Sequence, residues 1–407
     1  QTTSLSSIGN FIKAIETANR GLAYFGKSIP EEPELAEEKR EQLMNEINSQ
    51  YGDRIWDILL NMPFTKKRRS KIELAFYSEL IPDLYMSGLV PQLYLSAVQS
   101  TKHCLEGGMD ESVIYSFSIM GLYLGEQGKF EQAFKYEDLA LNLCERHPNT
   151  FGATRGMNGV AWVTMHTRHH PQEIVNHCLK GIQWGKNCGD LYNAGLLYGP
   201  LMWSLQVQGA DLLAIEEYAQ ECLQFSQKYH LTFSVALAEA MQSAWIAPMK
   251  RDYTPIPMEE KIKKWERENH ISAAGSYIIH MALTHYYFGE YEKAEHYLQI
   301  LKRYLRGLTD HLLKRQWYVF QVLNALRLYE RKIIYQSKHQ VLSYIQPLIK
   351  KIESWTQYGP MLRPYLSFIY AELERAIGDL KKARNLYFDA IAMAHEQRYT
   401  FLEAHLN

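Results

Sequence analysis

A turn glycine, a large apolar residue two positions on and an alanine three further on return at nearly constant spacing along this 407-residue chain, and nothing else limits its fold as much. The pattern reads Gly128-Lys-Phe130-Glu-Gln-Ala133, then Gly289-Glu-Tyr291-Glu-Lys-Ala294, then Gly378-Asp-Leu380-Lys-Lys-Ala383, with a weaker copy at Gly209-Ala-Asp-Leu-Leu-Ala214. The glycines at 128, 209, 289 and 378 stand 81, 80 and 89 residues apart. A residue without Cβ takes the left-handed conformation that ends a helix, and alanine lets a second helix approach closely. Self-similarity on this scale marks stacked repeats, each burying a face against the next. Alternating β-branched runs bounded by turn residues are nearly absent, so no sheet is expected.

The fullest copy runs from Phe117 and Gly121 through Gly128, Phe130 and Ala133 to Ala140 and Pro148. Its order of aromatic, small residue, turn glycine, aromatic, alanine, alanine and proline is similar to the tetratricopeptide register. Gly121 and Ala133 are the expected point of closest approach; in the last copy Tyr387 and Ala390 continue the pattern. Each interval between turn glycines holds two helix pairs of about 40 residues, longer than the roughly 34-residue consensus, so alternate pairs have lost the signature. The segment Gly156 to Lys186 is expected to be one such pair, with Pro171 in the first turn of its second helix. The predicted fold is all-α, a right-handed superhelix (α-solenoid) of degenerate tetratricopeptide-type hairpins. It runs continuously through degenerate N-terminal repeats at 1–111 and clearer repeats at 112–250 and 251–407. Phe11 to Gly26 reads as the second helix of a pair whose partner lies upstream of Gln1. That leaves its apolar stripe uncovered and implies a piece of a longer protein.

Three further stretches carry a resemblance. Ala23-Tyr-Phe-Gly-Lys-Ser-Ile-Pro-Glu-Glu-Pro33, Asp57-Ile-Leu-Leu-Asn-Met-Pro63 and His285-Tyr-Tyr-Phe-Gly289 with the later Trp355 resemble the helical region of large bacterial multi-sensor signalling proteins. In that family the region follows a signal-transduction ATPase module with numerous domains, often behind a Ser/Thr kinase, and GAF, histidine-kinase or cyclase modules follow it. The resemblance implies a sensor or scaffold arm that works with neighbouring ATPase and kinase modules. The chain itself has no Gly-x-x-x-x-Gly-Lys-Ser/Thr, His-Arg-Asp or Asp-Phe-Gly.

Lysine plus arginine (44) balances aspartate plus glutamate (45), so no overall field draws the chain to nucleic acid or an anionic membrane. The basic run Lys66-Lys67-Arg68-Arg69 reads as a solvated loop or first helical turn. Cys104, Cys144, Cys178, Cys188 and Cys222 never fall in a Cys-x-x-Cys spacing and read as buried thiols, which with no signal peptide or spanning segment points to the cytoplasm. His166, His169, His170 and His177 cluster near Cys178, but Pro171 redirects the chain between them, so they read as exposed hairpin-turn histidines and not as a metal site. His280 and His285 are five residues apart and share no helix face. Gly-x-Ser-x-Gly is absent, no cysteine stands in a protease context and no carboxylate pair stands out, so neither catalysis nor a cofactor is expected.

What the register does offer is a concave wall built from the first helix of each pair. Its inward positions fall at Tyr115, Ser118 and Leu122, and at Trp203 in the weak copy. Further on they fall at Ile279, Leu283, Tyr286 and Tyr287, then at Tyr365, Phe368, Glu372 and Arg375, with Trp162 and His166 joining if the degenerate pair follows suit. Aromatic side chains on such a wall suit capture of a peptide, a protein segment or a small effector. Ser118 and Leu122, or Ile279 and Leu283, stand where clamps for a chaperone tail carry lysine and asparagine, which disfavours that role. A passive scaffold, or a regulator touching nucleic acid through the basic run, are the competing readings.

Overall fold

A computed structural model of the chain describes residues 1–252, 258–309 and 311–406. Among them every element is helical, and the one extended feature is an isolated pairing of Phe64 with Met109. The first helices are α1 (Thr2–Ser7), α2 (Phe11–Ala23), α3 (Pro33–Tyr51) and the short α4 (Ile55–Asn61). Hairpins then follow in order, beginning with α5 (Arg68–Met86) and α6 (Val90–Gly107), then α7 (Val113–Glu126) and α8 (Phe130–Arg146). Next come α9 (Phe151–Val163), with the single turn α10 (Met165–Arg168), and α11 (Pro171–Cys188). The broken pair α12 (Leu191–Leu196) and α13 (Tyr198–Gln208) turns back into α14 (Leu212–Lys228). After α15 (Thr232–Met241), a π-helical turn and α16 (Ala247–Met249), the return helix is α17 (Met258–Arg267). The last pairs are α18 (Ile271–Tyr287) with α19 (Tyr291–Leu301), α20 (Leu312–Glu330) with α21 (Lys338–Thr356), and α22 (Arg363–Ile377) with α23 (Leu380–Glu396), closed by α24 (Thr400–Leu406).

The bends explain how alternate pairs persist without a glycine signature. Gly88, Gly128, Gly209 and Gly289 have positive φ at bends within hairpins, as does Lys332 between α20 and α21, and Gly108, Asn149, Gly189, His230, Asn269 and Arg398 take the same conformation where one hairpin passes to the next. A side chain in that conformation costs roughly 1–2 kcal/mol, least for asparagine, so the packed helices on either side hold these residues there. Gly378 departs from the expected equivalence: it ends α22 with φ −126°, outside the left-handed region. Pro171 opens α11, and Asp190, Asp211 and Asp379 accept hydrogen bonds from the first-turn amides of α12, α14 and α23.

Within a hairpin the first helix is buried almost all round, whereas the second is amphipathic. In α7 every residue from Val113 to Gly125 is buried; in α8 the buried set is the stripe Phe130, Ala133, Tyr136, Glu137, Leu139, Ala140, Leu143 and Cys144. A Cβ on Gly121 would lie 3.2 Å from the Ala133 carbonyl oxygen, which is the close approach expected of that pair. Ala294, Ala383 and Ala390 are buried likewise, while Leu380 is exposed and Tyr291 only partly covered. Helices pack on their neighbours across the boundaries at 111 and 250, with α6 against α7 and α15 against α18. The apolar stripe of α2, expected to be bare, is covered: Phe11, Ala14, Ala18 and Leu22 are buried, and α2 packs on α1 and α5.

Candidate functional site

The positions expected to line an open wall are inside the protein. Tyr115, Leu122, Trp162, His166, Trp203, Ile279, Leu283, Tyr286, Tyr365, Phe368 and Glu372 are no more than 6 % exposed, and Tyr287 and Arg375 are half-buried. The exposure expected of them is corrected by what covers them, which is their own kind from the next hairpin and from distant ones. Trp162 meets Trp203 edge to face at 5.1 Å and His311 at 5.3 Å, and Trp203 meets His311 at 4.5 Å. Farther along, Phe320 packs on Tyr286 at 5.1 Å and on Tyr287 at 5.6 Å, and Phe401 of α24 lies 4.7 Å from Tyr287. Phe368 meets His405 at 5.7 Å. Glu372 is held by Arg327 and Arg375 and by the Tyr387 hydroxyl, so it serves a buried ion pair and not a free wall.

Polar contacts join the same distant hairpins. The Tyr85 hydroxyl donates to the Thr309 carbonyl at 3.0 Å, Arg315 to the Thr167 hydroxyl at 2.8 Å, and the Gln316 amide to Gln206 at 2.9 Å. Lys314 pairs with Glu126 at 2.9 Å. The interior is therefore filled from both sides.

One stretch of the inner face is built differently. On α5, α9 and α12 it carries charges and amides in one connected network, which the sequence reading did not single out. Arg155, buried on α9, donates to Asp190 at 3.2 Å, to the Ser78 hydroxyl at 3.0 Å and to Glu79 of α5. The Asn158 amide donates to the Tyr115 hydroxyl at 2.9 Å and to the Asn193 carbonyl oxygen at 3.1 Å, while the Asn193 amide returns to Asp190 at 3.0 Å. Burial disfavours the Arg155 cation, but the charges of Asp190 and Glu79 more than restore it, leaving it held above its usual range. Asp83, one helical turn beyond Glu79, is fully buried; desolvation, with Glu79 adding to it, holds its carboxyl well above the usual range despite a bond from Ser6. The Asp83 Oδ1, Asn158 Oδ1 and Tyr192 hydroxyl atoms make no hydrogen bond among the described residues.

The α5 end of this network, Glu79 and Asp83, lies under the N-terminal segment. Ser6 donates to Asp83 Oδ2 at 2.7 Å, Thr3 donates to Glu79 Oε2 at 2.6 Å, and Thr232 at the start of α15 donates to the Ser7 carbonyl at 3.4 Å. The sequence does hold a faint signal of it, a charged residue three before an asparagine, Arg155 with Asn158 and again Asp190 with Asn193, one repeat apart.

The remaining candidates resolve into structure. His166 is buried against His311; His169 bridges Glu137 and Glu173; His170 caps α11 and reaches the Gln397 carbonyl at 2.7 Å; His177 reaches the Met157 carbonyl at 2.8 Å. They are not the exposed turn residues expected, because the bend they occupy is covered by Gln397 and neighbouring helices. Among the described residues no three His, Cys, Asp or Glu side chains converge as metal ligands would. Lys66 to Arg69 are exposed at the start of α5, four of the cysteines are buried with Cys188 half-buried, and among the described residues no helix is long and apolar enough to cross a membrane. No family model matches the chain, nor does any curated protein or solved structure.

Proposed function

We propose that the chain is a ligand-sensing or protein-interaction module, an α-solenoid of degenerate tetratricopeptide-type hairpins that serves as one arm of a larger bacterial signal-transduction ATPase or kinase. It binds, and does not catalyse. The observation that carries this reading is the polar network of Glu79, Asp83, Arg155, Asn158, Asp190 and Asn193, set on the inner faces of successive hairpins with a segment of chain already lying on it. Side-chain amides and carboxyls repeated along a row of helices match the donors and acceptors of a peptide, and a rigid stack presents them without ordering cost. Because each hairpin touches mainly its neighbours, small rotations on binding add up along the array and reach the attached modules.

Peptides selected from a random library on the intact chain test this. Those that bind should protect the backbone amides of α5, α9 and α12 from hydrogen exchange and lose about tenfold in affinity for the Asn193→Ala chain. Peptides that protect only the outer helices, or that bind the variant equally well, would sink the reading. The contacts that weld distant hairpins, Lys314 to Glu126 and Arg315 to Thr167, favour a second reading, a static scaffold. Ligand binding that leaves the kinase or ATPase output of the whole protein unchanged would decide for the scaffold.

A further inference from the structure

Two properties set α1 apart from the helices around it. Its buried residues are Thr2 and Ser6, while Ile8 beside it is 57 % exposed, so little apolar area fastens it. Its attachment is instead a pair of hydroxyl donors one turn apart, Thr3 and Ser6, matched to a pair of carboxyl acceptors one turn apart on α5, Glu79 and Asp83. Each such bond contributes about 1 kcal/mol net, and the one from Thr3 is open to solvent. Segments held this way open locally long before the rest of a fold.

Asp83 beneath it, and two groups farther along the same network, are incompletely used. Asp83 accepts from Ser6 through one oxygen only, and its other oxygen, the Asn158 carbonyl oxygen and the Tyr192 hydroxyl have no partner among the described residues. All three belong to residues no more than 5 % exposed. Buried polar atoms normally find partners, and each unmade bond is costly.

We propose that Thr2–Ser7 is an exchangeable strap on the polar wall, and that the wall takes in its place a peptide segment bearing hydroxyl side chains one helical turn apart. This rests on the reading of the wall as a binding surface and names both its ligand class and its competitor. Glu79 and Asp83 each receive a hydroxyl here, and an acidic segment would bring its charge against the Glu79 carboxylate, so such a segment is excluded. A segment that also supplies donors to Asp83 Oδ1 and Asn158 Oδ1 makes bonds the strap leaves unmade, and so displaces it.

The test uses a labelled synthetic peptide of residues 1–9, the intact chain and a chain beginning at Asn10. The shortened chain should keep its helical signal and cooperative melt and bind the peptide saturably, with the intact chain binding about tenfold or more weakly because its own strap competes. A peptide with Thr3→Val and Ser6→Ala should lose about tenfold on the shortened chain, as should the wild-type peptide on an Asp83→Ala chain. A shortened chain that stays folded but does not bind overturns the proposal, as does binding indifferent to these substitutions. A shortened chain that loses its cooperative melt also overturns it, since α1 is then a structural element. Independently, in the intact chain the amides of residues 2–9 should exchange far faster than those of α5 and α7; equal protection overturns the claim. If library-selected peptides still map to the wall while the 1–9 peptide fails, only the strap falls; if neither binds, the wall reading falls with it.

Discussion

The inner face is closed in two ways, and the contrast separates what holds the fold from what is available for use. Around Trp162, Trp203 and His311, and again around Tyr286, Tyr287, Phe320 and Phe401, large rings from neighbouring and distant hairpins meet edge to face at 4.5–5.6 Å and exclude solvent by area. Around Arg155 the closure is by hydrogen bonds, and two hydroxyls of α1 complete it at Glu79 and Asp83. Under the strap proposal the second closure opens while the fold, held by the first, stays.

Acid should distinguish the two most strongly. His270, His280 and His311 are buried on the aromatic side and held near 4, 4 and 3 by desolvation, all below the ordinary value of 6.5. A depressed value means stability that is complete above pH 6.5 and lost as pH falls toward 4, at about 2–3 kcal/mol for each histidine. Asp83 on the polar wall has the opposite sign: its value is raised, so its contribution is complete below the ordinary carboxyl value and fades as pH rises. Chemical denaturation from pH 7.5 to 4.5 should therefore show falling stability, a flatter slope for His311→Asn, and an advantage of Asp83→Asn over the parent that grows with pH.

Substitution sharpens the contrast. Trp203→Ala removes a fully buried ring and should cost about 4 kcal/mol by thermal or urea melting. Arg155→Ala strands Glu79 and Asp190 beside each other and should cost about 3 kcal/mol, and Arg155→Met should recover little of that, because both carboxylates still lose their cation. Gly128→Ala meets no neighbour, so its cost of about 1–2 kcal/mol should come from φ +76° alone; Asn149→Gly, where φ is +58° between α8 and α9, relieves that strain but loses the bond from Asn187 and should be near neutral. Smallest of all, Ser6→Ala should cost about 1 kcal/mol or less in global stability, yet markedly speed exchange in residues 2–9.

The helical class and the hairpin bends at Gly128, Gly209 and Gly289 were legible because local residues dictate them: a glycine with positive φ and an alanine at a close approach act within one hairpin. The bends at His230, Arg251 and Lys332 were not, since packing on both sides holds a side chain where its own preference would not. The register also named side chains that do turn inward, Trp162, Trp203 and Tyr286 among them. Whether an inward wall is open or filled depends on contacts such as Trp203 with His311 and Tyr85 with Thr309, which no local pattern encodes. The polar network escaped for a related reason. Arg155 and Asn158 look like ordinary surface residues of a helix until Asp190 and Asn193 of the next hairpin come beside them.

The claim on which the rest depends is that Ser6 and Asp83 are partners only while no ligand occupies the wall. A double-mutant cycle of Ser6→Ala and Asp83→Ala measures this directly, from hydrogen exchange of residues 2–9 with and without a saturating wall-binding peptide. The account predicts a coupling of about 1 kcal/mol in the free chain that vanishes when the peptide is bound. A coupling absent from the free chain, or unchanged by the peptide, would contradict it.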